Sequence, residues 1–208
     1  MAELDLIIEG GTVANAADTT QADVGIKDGR IAGLGTGLGS AARVIDASGM
    51  LVLPGGVDAH CHIEQLSSFG LMTSDDFYSG SVSAAFGGTT SFVPFAAQHK
   101  GQSLREVVRE AHDRAGPKSV IDYAFHLIVS DPTEQVMGQE LPALIMDGYM
   151  SFKVYMTYDM LKIDDGQMLD ILALAREHGA MTMVPAENND VINWLSGRLL
   201  AGGYDAPK

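Results

Sequence analysis

The sequence predicts an α/β protein: a small all-β module over residues 1–55, then about five of the eight units of a (β/α)8 barrel over residues 56–208. Three observations carry this. The texture changes at Pro54-Gly55-Gly56, from short strand-like runs alone to apolar runs alternating with stretches of helical period. The apolar runs start near residues 57, 89, 120, 150 and 180, in steps of 32, 31, 30 and 30, close to the roughly 31 residues per unit of a complete barrel of about 250. Glycine stands just past four of the helical stretches, at Gly87-Gly88, Gly116-Pro117, Gly148 and Gly179, as helix stops do. A doubly wound open sheet uses the same alternation, so the spacing favours the barrel without excluding that alternative.

In the first module Leu6-Ile7-Ile8 stops at Gly10-Gly11, and Val24-Gly25-Ile26 meets Asp28-Gly29 before Arg30-Ile31-Ala32-Gly33-Leu34. Asp-Gly between two such runs predicts a hairpin, because both central residues of a type I′ turn need positive φ. Short apolar runs at 43–45 and 50–53 complete a module without helical period. Beyond residue 56 the predicted strands span 57–62, 89–95, 120–129, 150–155 and 180–184. The predicted helices span 75–86, 104–115, 132–146, 165–178 and 188–200.

Composition narrows the function. The 208 residues carry 13 Lys plus Arg against 27 Asp plus Glu, a formal charge of −14. Such a surface repels phosphate, and the basic residues form no block, so nucleic acid and anionic membrane are poor partners. No apolar run approaches the roughly 18 residues of a spanning helix, and the start lacks a basic segment leading into a long apolar one. The single cysteine, Cys61, excludes an internal disulfide framework and fits a reducing compartment; a cytoplasmic location is expected.

Two features could carry chemistry. His60 and His62 close the run Val57-Asp58-Ala59-His60-Cys61-His62. Residues i and i+2 of a strand face the same way, so both imidazoles can converge on one point at the carboxyl end of a barrel strand, where barrel enzymes keep their active sites. Cys61 then faces the opposite side, as core. Lys153, amid Phe152, Val154 and Tyr155 near the end of the fourth strand, is costly to bury charged, and desolvation favours its neutral amine. A neutral amine can take up carbon dioxide as a carbamate, an anionic oxygen ligand; a lysine that snorkels to water is the bland alternative.

The segments VLPGGVDAHCH (52–62), TSDDFYSGSVSAAFGGTTSFVPF (73–95) and SFKVYMTY (151–158) together resemble the dihydropyrimidinase and hydantoinase branch of the cyclic amidohydrolases, over essentially the whole chain. The resemblance implies a β-sandwich built from both termini beside a (β/α)8 barrel, and a site of two metal ions, usually zinc. It makes His60 and His62 ligands of the more buried ion, Lys153 a carbamylated lysine bridging both ions, and Tyr158 a substrate-binding phenol that stabilises the tetrahedral intermediate. The implied reaction is hydrolytic opening of a cyclic amide or imide, a small-molecule substrate. Divalent metal lowers the pKa of bound water from about 15.7 toward about 7.

The sequence departs from that pattern in two ways. The fifth strand of the family ends in a histidine before Ala-Glu-Asn, and here Pro185 precedes Ala186-Glu187-Asn188. Proline has no side-chain donor, and Glu187 reads as a residue behind the ligands or at a helix N-terminus. The ligands expected after strands six and eight fall beyond Lys208, so three candidates stand where the family uses six. Among the other histidines, His99 lies in a loop that could line the substrate mouth, His112 and His178 face solvent from helices, and His126 is a hydrogen-bonded core residue. Phe69 and Leu71 are placed to shape substrate access, and the methionines are explained by packing.

The leading expectation is therefore the amino-terminal part of a metal-dependent cyclic amide hydrolase, inactive as an isolated chain. A non-catalytic scaffold of the dihydropyrimidinase-related kind, or an inactive truncated fragment, is the alternative. Five units would leave unpaired strand edges and exposed apolar surface, so a homo-oligomer or a complementing carboxyl-terminal chain is expected as partner.

Overall fold

The computed structural model describes residues 4–67 and 70–206. It divides into two compact units, Met1–Gly55 and Gly56–Lys208. The first is all β among the described residues: β1 (Leu4–Glu9), β2 (Thr12–Ala14), β3 (Thr19–Gln21), β4 (Asp23–Lys27), β5 (Arg30–Gly35), β6 (Ala41–Asp46) and β7 (Leu51–Val52). One sheet runs β5-β4-β1-β6 and a second β3-β2-β7. The Asp-Gly turn joins β4 to β5 as expected, with φ +50° at Asp28 and +70° at Gly29. Asp5 ties that turn to β1, accepting from the Asp28 N–H and the Lys27 ammonium at 2.7 Å each. Ile7, Ala22, Val24 and Ala47 are the buried apolar side chains of this unit, a thin core for two sheets.

The second unit follows the strand–helix alternation: β8 (Gly56–Cys61), α1 (Phe77–Phe86), β9 (Thr89–Ala97), α2 (Leu104–Ala115), β10 (Asp122–Tyr123), β11 (His126–Ile128), α3 (Leu141–Met146), β12 (Ser151–Lys153), α4 (Asp165–His178), β13 (Met181–Met183) and α5 (Asn189–Ala201). β8, β9, β11, β12 and β13 pair in sequence order and all in parallel. That is the half-barrel the repeat anticipates. Among the described residues β8 pairs only with β9 and β13 only with β12, so both edges are open. No helix of the described residues is long and apolar enough to cross a membrane.

Local chemistry sets the helix ends. Asp76 and Asp164 each accept from the backbone N–H three residues on, and Ser79 and Gln167 reach back to complete capping boxes. Gly179 closes α4 at φ +69°, a left-handed position that glycine takes without a Cβ penalty. Two expected elements are corrected. The strand at 120–129 breaks into β10 and β11, with Ala124 and Phe125 between them. The helix at 132–146 starts at Glu134, and its segment Val136–Glu140 is a π-helix. Pro142 has no N–H to bond four residues back, and the turn before it widens, with the Leu141 N–H reaching the Val136 carbonyl.

The core lies between the sheet and its helices. Phe92 and Ala96 of β9, Leu127 of β11 and Phe152 of β12 face Phe77, Leu104, Leu141 and Ile171. Alternation along the same strands sends Phe95, Ile128 and Tyr155 to the opposite, concave face, where they form a smaller cluster. His112 is not the solvent-facing residue expected of it. It is half-buried, its Nε2 is bonded to the Tyr149 hydroxyl at 2.6 Å, and its ring meets Phe125 edge-on. Two hydroxyls and an aromatic wall make that side of α2 a polar seam within the core rather than a solvent face.

Candidate active site

The two-residue period that builds the core also places the candidate chemistry. Cys61 and Ile63 pack into the helix-side core, which sends His60 and His62 to the concave face. Phe152 and Val154 do the same on β12 and leave Lys153 and Tyr155 inside with Phe95. Phe95 is the floor: its ring lies 4.9 Å from His60, 5.0 Å from His62 and 4.9 Å from the Lys153 Nζ. The two imidazoles stand 5.5 Å apart, ring centre to ring centre.

A cavity of about 370 Å³ opens beside these groups, walled by His62, Gln65, Lys153, Tyr155, Tyr158, Leu161 and Pro185. Its polar groups converge from different loops, as a small-molecule site requires. A larger cleft of about 880 Å³ lies at the N-termini of α4 and α5, where Asp164, Asp165, Glu187 and Asp190 line it. It is lined by Lys162 but by no histidine or tyrosine, so the smaller cavity is the candidate chemical site. Glu187 therefore faces the helix N-termini, in keeping with its expected place, and Asn188 caps α5.

Electrostatics at the floor favour neutral bases. Burial lowers the pKa of Lys153 from its ordinary value, and among the described residues no carboxylate pairs with its amine. Burial also lowers His60, helped by the charges of Lys153, His62 and His126 and opposed by Asp58. Cys61 is pushed up to about 11, chiefly by burial, which suits its core position. His62 is oriented by Gln65, whose Oε1 lies 2.7 Å from Nδ1. A carbonyl oxygen can only accept, so Nδ1 carries the proton and Nε2 keeps a free lone pair.

Tyr158 sits at φ +67°, a left-handed position costly for a bulky side chain. Its carbonyl accepts from the Leu161 and Lys162 N–H groups at 2.8 Å each, and that turn holds the strained residue at the cavity wall. The loop after β8 is similarly anchored: the Gln65 N–H reaches the Thr73 hydroxyl and the Thr73 N–H the Gln65 carbonyl, both at 3.1 Å. Leu71 near its tip is 71% exposed; Phe69, its expected companion, lies outside the described residues. His99 stays in the loop after β9, where its N–H bonds the Gln102 side chain.

The concave face offers His60, His62 and Lys153 as the side chains that could hold a divalent ion. Among the described residues no three His, Cys, Asp or Glu side chains gather as metal donors. His60 and His62 could supply two nitrogens, and Lys153 a third donor only as the oxygen of a carbamate. Pro185 on the facing wall offers none. The structure thus brings His60, His62, Lys153 and Tyr158 to one place. Phe95, Tyr155 and Gln65 belong beside them and escaped the sequence reading, although Tyr155 stands two residues after Lys153 and Gln65 three residues after His62.

A parallel half-barrel with polar groups converging at the carboxyl ends of its strands has the layout in which barrel folds carry their sites. No family model matches the chain. It is 45% identical over 204 residues to the D-hydantoinase of Geobacillus stearothermophilus, covering 97% of this chain and 43% of that protein. To rat dihydropyrimidinase it is 37% identical over 211 residues, covering 98% and 40%. A solved D-hydantoinase structure superposes with a TM-score of 0.94 at 45% identity, over 98% of this chain and 44% of the other. The chain belongs to the D-hydantoinase and dihydropyrimidinase branch of the cyclic amidohydrolases and corresponds to the amino-terminal part of its members. It spans less than half the length of the relatives it matches.

Proposed function

We propose that this chain carries the amino-terminal share of the active site of a metal-dependent hydrolase that opens cyclic amide rings of the hydantoin or dihydropyrimidine type. The observation that carries the reading is the convergence of His62, Lys153 and Tyr158 on one cavity, with His60 packed against His62 on the same face. In this reading His60, His62 and carbamylated Lys153 hold zinc, which when bound makes water acidic enough to act as a nucleophile near neutral pH. Lys153 becomes an oxygen ligand when its neutral amine attacks carbon dioxide: a C–N bond forms, one proton leaves the nitrogen, and the carbamate keeps the negative charge. The buried, unpaired setting supplies that neutral amine.

The substrate ring lies in the cavity, with Tyr155 and Leu161 against its apolar parts. As water adds to the carbonyl carbon, the phenol of Tyr158 donates to the developing oxyanion. The C–N bond of the ring then breaks, and the ring nitrogen leaves with a proton from the attacking water. The residue that carries that proton falls, by the resemblance, beyond residue 208. Turnover accordingly needs the rest of the barrel, as a continuation or a complementing chain, or in an oligomer. The open edges of β8 and β13 and the exposed Val191, Trp194 and Leu200 of α5 support such a partner. The working location proposed is the cytoplasm.

The test is metal analysis of the purified chain together with ring opening of hydantoin and dihydrouracil, with and without the carboxyl-terminal part of a relative. The expected result is bound zinc, and turnover once the barrel is completed. A completed protein that binds no metal and opens neither ring would overturn the reading.

A further inference from the structure

The histidine that the proposed chemistry leaves unused is His126, 8% exposed on the concave face of β11. Both of its ring nitrogens are engaged, and the partners lie on different strands. Nε2 bonds the Ala59 carbonyl of β8 at 2.9 Å, and Nδ1 bonds the Ser151 hydroxyl of β12. A carbonyl can only accept, so Nε2 carries the proton, and a neutral ring then accepts the Ser151 O–H at Nδ1. Ala59 precedes His60, and Ser151 stands two residues before Lys153 on the same face. One imidazole therefore links the strand bearing the histidine pair to the strand bearing the lysine, across β9 and beside Phe95, whose ring is 5.3 Å away.

The bond to Ala59 falls at an irregular point of β8. Asp58 pairs with Phe92 and Cys61 with Pro94, so three steps along β8 match two along β9, and Ala59 and His60 form a bulge. A bulge takes its residues out of the regular ladder and re-aims their side chains. The Ala59 carbonyl at this one finds its partner in a side chain two strands away.

We propose that His126 is a positioning residue: by holding the Ala59 carbonyl it fixes the bulge that aims the His60 imidazole, and through Ser151 it sets the spacing between the histidine pair and Lys153. The inference rests on the metal-binding reading above. Its direct consequence is on metal affinity, because ligands held by a polar partner behind them lose affinity when that partner goes, typically about 10- to 100-fold.

The experiment measures Co²⁺ affinity by chelator competition, the visible spectrum of the Co²⁺ form, and the thermal midpoint, for the 208-residue chain and its His126→Gln and Ser151→Ala variants. His126→Gln is expected to keep its helical circular dichroism, lose about 10- to 100-fold in Co²⁺ affinity and shift the Co²⁺ bands. Ser151→Ala, which removes only the Nδ1 partner, is expected to lose less and in the same direction. Should His126→Gln fail to fold, Ser151→Ala decides alone. A folded variant with the affinity and spectrum of the parent chain overturns the brace while leaving the metal reading intact. A parent chain that takes up no Co²⁺ overturns the brace as a device of this chain, while the metal reading itself stands or falls on the completed barrel.

Discussion

Phe95→Ala is the substitution that separates the floor of the site from its walls. Phe95 is 5% exposed and touches His60, His62, His126 and the Lys153 amine, with Ile128 and Tyr155 as its buried apolar partners. Truncating a core phenylalanine costs about 3–5 kcal/mol, the upper part of that range being the void left behind. Here the void opens onto a neighbouring groove of about 200 Å³ that Phe95 lines with Gln65, Ala97 and His99, and fills with water, so the cost falls at about 3 kcal/mol. All helices of the described residues lie in the second unit, so helical circular dichroism during urea unfolding reports that unit alone. With a slope of about 2 kcal/mol per molar, the midpoint should fall by about 1.5 M. The chemistry should change with it. Burial is what lowers the Lys153 pKa, and water admitted at Phe95 raises it again; the lost cation–π contact works the other way but is smaller than desolvation. Less neutral amine means less carbamate, read as a weaker ¹³C signal in labelled bicarbonate at fixed pH. A midpoint within about 0.3 M of the parent, or an undiminished carbamate signal, would show that Phe95 is not the floor described.

Three further outcomes follow from the same structure. Glu140 accepts from the Leu104 N–H at 2.6 Å, the Arg105 N–H, the Ser103 hydroxyl and Gln135. Burial acts to raise its carboxyl, and these donors outweigh it and hold the carboxyl below its ordinary value. The stability it contributes is therefore present above the unfolded pKa of about 4.3 and lost as pH falls through the depressed folded value. Glu140→Gln should cost about 1–2 kcal/mol at pH 7 and remove that acid-side dependence, measured by urea unfolding between pH 3 and 7; equal losses at every pH would contradict the assignment. Gln65→Ala frees the His62 ring and should weaken zinc binding about 10-fold in chelator competition, whereas an unchanged constant would show that Gln65 does not orient the ligand. Pro185→His restores a donor on the facing wall, and the zinc content of the completed barrel should rise from one ion toward two by elemental analysis.

Much of the architecture was legible because it is local. The edges of α2 and α4 coincide with the predicted 104–115 and 165–178, since each is set by an acceptor at its start and a glycine past its end within the same stretch of chain. The strand parity that puts His60, His62 and Lys153 on one face is likewise a property of neighbouring residues. The split of the strand at 120–129, the π-helical turn before Pro142 and the burial of His112 were not legible in that way. Two of them involve partners distant in sequence: Glu140, which closes the π-helical turn, bonds the N-terminus of α2, and His112 bonds Tyr149.

The sequence by itself determined which residues could do chemistry and on which side of which strand they lie, because side-chain direction alternates with a period that needs no knowledge of neighbours. Only the tertiary structure decided what surrounds them. Gln65 selects the tautomer of His62, Phe95 underlies three polar groups at once, and His126 reaches from the bulge of β8 to Ser151 of β12. The two bonds of His126 join segments 25 and 67 residues apart, and they exist because parallel pairing brings the carboxyl ends of separate strands together. Burial there removes water, and with water gone a lysine loses its proton more readily and a histidine settles into one tautomer.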